Sequence, residues 1–346
     1  MKRFTLFIAL CLTLAACNKK AAEYQAELFV FGTVVSLTAA GTDEDTASKA
    51  FAEIGRQFQV LHRDWHAWDP GELTRLNTAL ATGKTVTASP GIVDLVIKSR
   101  QMETMSGGRF NAALGGLVAL WGFHTSQYPV LGPPPATEEI DKIIRSRPSA
   151  LDVEVSAGGL TSANPMVQFD FGGIAKGAAV DIAVQILREY GIPAAIVNAG
   201  GDLRAYGNPG GEPWNIAVRA PAGGIIGGLE VRGDEAIFTS GNYQRFRQDD
   251  ERRYAHILDP ATGWPVEGVI STTVIAAEGW RADAAATALL IAGSQAFAQT
   301  AANMQIDAAL LVDENGGLHL TPAMANRLKL VDSGAWQIFE HPGTNR

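Results

Sequence analysis

The chain has 346 residues, 47% of them hydrophobic and 18% charged, with a formal net charge of −8 and a pI near 5.3. That composition suits a globular protein with a sizeable core. The acidic balance argues against a general nucleic-acid binder, which needs clustered Lys and Arg to neutralise phosphates, but an anionic ligand whose charge is met locally stays open.

Lys2 and Arg3 precede an apolar run from Phe4 to Leu14, too short to span a bilayer and typical of a secretory signal. The run ends in Leu14-Ala15-Ala16-Cys17, a lipobox. Residues 1–16 are therefore expected to be removed and Cys17 to carry lipid, placing the protein in a bacterial cell envelope, membrane-anchored on the periplasmic or extracytoplasmic side. Cys11 leaves with the signal, so no cysteine remains for a disulfide or a thiol nucleophile.

Residues 17–27 read as a tether, after which Leu28 to Ala39 predicts one strand. Ala47, Ala50, Phe51, Ile54, Phe58, Leu61 and Trp65 recur at helical steps and give a helix one apolar face. Ser89-Pro90 supplies an N-cap and first-turn proline for a second helix with Val93, Val96 and Ile97. From Pro129 to Ser162 prolines, charges and glycines dominate, which predicts a surface excursion without chemistry of its own.

A glycine turn then leads into a helix ending at Tyr190 and a buried strand at Ala195 to Val197. Further strands are expected at Trp214 to Arg219, Ala236 to Thr239, Tyr254 to Leu258 and Ile270 to Ala276, and a hairpin turn at Glu314 to Gly317. The expected class is α+β, mixed sheets and helices around one composite site, over a unit of residues 28–335 with a tail at 336–346.

Four segments could carry chemistry. Asp170-Phe171-Gly172-Gly173-Ile174-Ala175-Lys176-Gly177 puts paired glycines before a helix N-terminus, which either cradles phosphate or merely turns the chain. It is neither a G-x-G-x-x-G nor a P-loop. Asn198-Ala199-Gly200-Gly201-Asp202 leaves a strand end as a ligand loop or as a turn capped by Asp202.

After Thr239-Ser240-Gly241-Asn242-Tyr243, His256 is the best candidate for proton transfer, with Asp259 near in sequence to orient it, although a lone histidine is more often structural. Asp283 and Thr287 stand at i and i+4 on an alanine-rich helix. Two hard oxygen donors on one face suit Mg2+, yet an N-terminal Asp and a self-bonded Thr explain them as well. Trp65, Trp68 and Trp121 could stack on an aromatic ligand or fill a core.

Taken together, these segments resemble the FAD:protein FMN transferase family, the ApbE-like flavin transferases. Phe31-Gly32-Thr33, Trp68-Asp69-Pro70 through Glu72-Leu73 to Arg75-Leu76-Asn77, Ser106-Gly107-Gly108-Arg109-Phe110 and Trp121-Gly122-Phe123 precede the four segments in the family's order, from about Phe31 to Gly293. Two departures stand out: Phe31 where the family usually has Met, and Asn111-Ala112-Ala113 where many members read Asp-Pro-Thr.

The resemblance implies Mg2+ on Asp283, Thr287 and a backbone oxygen from Ala175, with His256 as base held by Asp259. It implies an FAD site at Phe31, Trp68, Arg109, Phe110, Asn111, Gly172, Gly173, Lys176, Asn198, Gly200, Asp202, Ser240, His256 and Ile257. The implied reaction moves FMN from FAD to a threonine or serine of another protein, an acceptor flavoprotein subunit of a membrane electron-transfer system, and releases AMP. The alternatives are hydrolysis of FAD to FMN and AMP, or a lipoprotein that binds FAD without chemistry.

Overall fold

The computed structural model describes residues 22–341 apart from 251, 333 and 335. The expected signal peptide and Cys17 lie outside the described residues.

The chain opens with a hairpin, β1 (Glu23–Val30) and β2 (Thr33–Ala40). Phe31 and Gly32 turn it with φ of 56° and 70°, the left-handed pair that a two-residue hairpin loop requires. The single strand expected from Leu28 is thus two, and residues 23–27, read as tether, are already paired in the sheet. The β-branched run hid the turn because Phe31 is an unusual residue at positive φ.

Four helices follow: α1 (Glu44–Trp65), α2 (Glu72–Leu80), α3 (Pro90–Met105) and α4 (Gly115–Leu120). Asp43 caps α1 by accepting from the Thr46 amide at 2.9 Å, and Ser89 caps α3 with a proline in its first turn. The proline-rich stretch is not bare surface. It folds into β3 (Val130–Leu131), α5 (Thr137–Ser146), β4 (Val153–Ser156) and β5 (Gly159–Ser162).

Next come α6 (Ala175–Glu189), β6 (Ala194–Ala199), β7 (Asp202–Tyr206), β8 (Trp214–Arg219), β9 (Ile225–Val231), β10 (Asp234–Gly241), β11 (Phe246–Asp249), β12 (Arg252–Ala255) and β13 (Val269–Ala276). The chain continues through α7 (Gly279–Asn303), which breaks its helical geometry at Gly293, then β14 (Ala308–Asp313), β15 (Leu318–Leu320), α8 (Pro322–Arg327), β16 (Lys329–Leu330) and β17 (Ile338–Glu340). The hairpin between β14 and β15 falls where the Asn-Gly signal put it. The expected tail instead contributes β17, which pairs in parallel with β15.

Nine strands form the central sheet in the order β1-β2-β6-β7-β10-β13-β14-β15-β17. Side chains alternate across it, as the two-residue strand period dictates. Phe238, Val274, Ala309 and Leu311 face a core shared with α1, α6 and α7, while Ile237, Ile275, Leu310 and Val312 face the small sheet β16-β9-β8 and α8. The helical core takes residues from before and after the proline-rich stretch. A third cluster, Leu117, Trp121, Phe123, Ile140, Ile143, Tyr254 and Leu258, lets α5 carry the loop that holds His256.

Among the described residues no helix is long and apolar enough to cross a membrane.

Candidate active site

Helices α6 and α7 touch backbone to backbone. A Cβ on Gly177 would overlap the Gly279 carbonyl, so only glycine permits the approach. Asp181 of α6 accepts from the first amides of α7, Gly279 at 2.7 Å and Trp280 at 3.1 Å, capping donors that a helix start leaves unpaired. Arg204 holds that carboxylate at 2.6 Å.

This crossing brings Asp283 to the N-terminus of α6, where its Oδ2 accepts from the Gly177 amide at 3.0 Å. Asp283 is buried, and burial, reinforced by the negative charge of Asp202, pushes its pKa up to about 7 although Lys176 pulls it down. One turn along, Thr287 Oγ1 lies 3.0 Å from Ser240 Oγ and bonds weakly to the Asp283 carbonyl at 3.4 Å. The glycine turn comes equally close: a Cβ on Gly173 would stand 3.3 Å from Thr287 Oγ1 and from the Phe110 ring.

These groups border a cavity of about 330 Å³ between the glycine turn, the end of β10 and the loop after β12. Arg109, Phe110, Asn111, Gly172, Gly173, Lys176, Ser240, His256, Ile257, Asp283 and Thr287 all line it. The remaining expected residues do not. Asn111 spends its amide on the local fold, accepting from Ala113 at 2.8 Å and donating to the Pro148 carbonyl at 2.9 Å.

Phe31 packs edge-on against Phe58 and His62, with ring centroids 5.3 and 5.7 Å away. Trp68 leans on His124 at 5.3 Å and its indole N–H donates to Asp170. Asn198 accepts from the Gly201 amide at 2.8 Å, so this strand exit is a self-capped turn, with Gly200 against Thr33. Ala175 opens α6 as its first helical residue, between Gly173 and Lys176 of the lining, and is not itself a lining residue.

Two expected roles change. Lys176 is ion-paired with Asp202, which also accepts from the Thr239 amide at 2.8 Å. Burial works against the Lys176 charge, but Asp202 and Asp283 outweigh it and hold its pKa above the usual range. Its charge is met inside the protein. Asp259 does not orient His256: its carboxylate accepts from the Ala261 amide at 2.9 Å and its carbonyl from Gly263 at 2.7 Å, closing a turn. Closeness in sequence misled because the chain reverses immediately after Leu258, which bridges to Pro265.

His256 Nδ1 is buried without a hydrogen-bond partner among the described residues, and the residue is part of the cavity lining. Burial, with the Arg245 charge adding to it, pushes its pKa down to about 4. The imidazole is therefore neutral at pH 7. Its loop is braced from behind, where Trp121 Nε1 donates to the Gly263 carbonyl at 2.9 Å and Ile140 and Ile144 of α5 press on Gly263.

Asp170 and Arg245 also line the cavity and were not among the expected residues. Burial raises the pKa of Asp170, whose Oδ1 accepts from Gly172 at 2.8 Å. It sits in a segment marked for its glycines, and its position just before them was the available signal.

Among the described residues no three His, Cys, Asp or Glu side chains are placed to share a metal. A cation here would take one carboxylate with hydroxyl and backbone oxygens, the hard donors that Mg2+ accepts while keeping waters. The burial of Asp283, only partly offset by Lys176 and the Gly177 amide, fits such a cation.

A family model described as the ApbE family matches residues 31–310. The chain belongs to the ApbE family. Among solved members, the ApbE protein of Thermotoga maritima superimposes with a TM-score of 0.81 at 28% identity, covering 88% of this chain and 99% of that one. The flavin transferase ApbE of Vibrio cholerae gives 0.76 at 26% identity, covering 89% and 100%. The α+β architecture expected from the sequence is thus the ApbE fold.

An FAD:protein FMN transferase of Rhodobacter capsulatus is 39% identical over 310 residues, which span 88% of this chain but only 58% of that relative. The V. cholerae protein of the same name is 27% identical over 332 residues, 92% of this chain and 96% of its own length.

Proposed function

We propose that this ApbE-family chain transfers FMN from FAD to a threonine or serine hydroxyl of a target flavoprotein, with Mg2+ as the cation and AMP as the leaving group. One observation carries the reading: a buried carboxylate tied to a helix N-terminus, two hydroxyls beside it and a neutral imidazole all border one cavity. Phosphoryl transfer needs positioning and charge stabilisation more than covalent chemistry, and this arrangement supplies both.

Asp283 and Thr287, with the backbone oxygen of Ala175, would hold Mg2+, which when bound would neutralise charge on the diphosphate oxygens. The acceptor hydroxyl oxygen bonds to the phosphorus on the FMN side as that phosphorus parts from the bridging oxygen, whose electron pair leaves with AMP. His256, in the cavity lining, takes the hydroxyl proton. A pKa near 4 makes it a weak base in the free protein, and the negative charge of a bound diphosphate would raise its proton affinity.

Cys17, acylated, would tether the enzyme to the envelope beside membrane electron-transfer subunits, the class of acceptor we propose. Replacing Cys17 by Ala should release the protein from the membrane fraction, and retention there rejects the anchor.

The activity is tested by incubating the chain from Asn18 onward with FAD, Mg2+ and a flavoprotein domain. AMP together with an FMN-sized mass gain on the domain supports transfer. AMP alone points to hydrolysis, and bound, intact FAD to a binder.

A further inference from the structure

Arg245 precedes β11, and its carbonyl accepts from the His256 amide at 3.1 Å. That bond extends the β11–β12 register one pair beyond Phe246 and Ala255, so Arg245 and His256 are neighbours at the cavity end of the ribbon. The Arg245 side chain lines the cavity, its guanidinium 5.6 Å from the Tyr128 ring centroid.

Among the described residues Arg245 itself meets only the neutral Tyr128 hydroxyl, whereas the other cations nearby are engaged by a carboxylate or by backbone carbonyls. Lys176 is paired with Asp202, Arg109 donates to the Ser106 carbonyl at 3.2 Å, and Arg247 spends its guanidinium on the carbonyls of Trp121 and Pro133. No ion pair among the described residues takes Arg245. Its field is felt instead by Asp170, Lys176 and His256, which it disposes toward their less positive forms.

A guanidinium is a planar fork suited to two phosphate oxygens at once. Without a direct ion pair inside the cavity, although Asp170 lies within its field, it has an anion-binding face to spare. We propose that Arg245 grips the diphosphate of FAD, setting the site's preference for a dinucleotide and holding the reacting phosphorus beside His256. This rests on the flavin-transfer reading and adds a residue to it.

The test uses the chain from Asn18 onward without divalent cation, titrated with FAD and with riboflavin by quenching of flavin fluorescence, as wild type, Arg245→Met and Arg245→Lys. Losing a charge-assisted pair of hydrogen bonds should weaken FAD binding by roughly 10- to 100-fold in Arg245→Met. Riboflavin, which has no phosphate, should bind both proteins alike, and Arg245→Lys should recover part of the FAD affinity. A thermal melt of each variant identifies any that is not folded.

FAD affinity in folded Arg245→Met within threefold of wild type overturns the proposal while leaving the flavin reading intact, as does an equal loss for riboflavin. Wild type that binds no FAD overturns both.

Discussion

Asp283 accepts a hydrogen bond from the Gly177 amide at 3.0 Å, so the carboxylate of one helix terminates the backbone of another. The bond is fixed in place by the glycine contact between α6 and α7. The carboxylate is left buried with one neutral donor and the field of Lys176, which together do not outweigh its burial.

That relationship has a sign that can be checked. The folded pKa of Asp283 lies near 7 against 3.8 unfolded, so between these values the folded state holds the extra proton. Its stabilising effect is complete below about 3.8 and lost as pH rises through 7. Asp283→Asn should therefore stabilise the cation-free protein at pH 8 by roughly 1–3 kcal/mol while losing FMN transfer. Mg2+ should raise the melting temperature of wild type and not of the variant. A variant that melts at or below wild type in chelator contradicts the account.

His256 behaves oppositely. Its folded pKa of about 4 lies below the ordinary 6.5, so in that window the unfolded chain binds a proton that the folded one refuses, and stability falls as pH drops from 6.5 toward 4. NMR of the labelled imidazole in the free protein should show a midpoint near 4. Adding FAD should move it upward, and a midpoint at 6.5 in the free protein would remove the burial argument.

Because Asp259 closes its own turn, Asp259→Ala should act on folding rather than on proton transfer. The expected cost is about 1 kcal/mol of stability, the usual effect of losing one such cap. The acid limb of the rate profile should stay at the wild-type position. A shift of that limb by a pH unit would restore Asp259 to the role that its place in the sequence suggested.

Gly177→Ala tests the crossing itself. With the new methyl forced onto the Gly279 carbonyl, α6 and α7 must separate, at a cost of about 1–3 kcal/mol. Transfer activity should fall more than FAD binding does, since Asp283 and Thr287, the proposed metal ligands, move relative to the glycine turn. Equal kcat in variant and wild type would show the contact to be dispensable.

Much of this was legible beforehand. The i, i+4 spacing of Asp283 and Thr287, the glycine turn before a helix and the hairpin at Glu314 to Gly317 are local signals, and local signals survive into the fold. What escaped depended on distant contacts. Asp259 looked like the partner of His256 because sequence gives proximity without direction.

The wall built by α5 was masked by prolines and charges, although Ile140, Ile143 and Ile144 already had helical spacing. Arg245 gave no pattern at all. Only the β11–β12 register shows that it shares the cavity end of a ribbon with His256.

The bond between Gly177 and Asp283 also sets a timetable. It joins residues 106 positions apart, and β10, which carries Ser240, lies between β7 and β13 in the sheet. No early part of the chain can assemble the pocket alone, since contacts of such long range form late and cooperatively. A growing chain would lack the completed cavity, and with it the cation site and chemistry proposed above, until α7 has arrived.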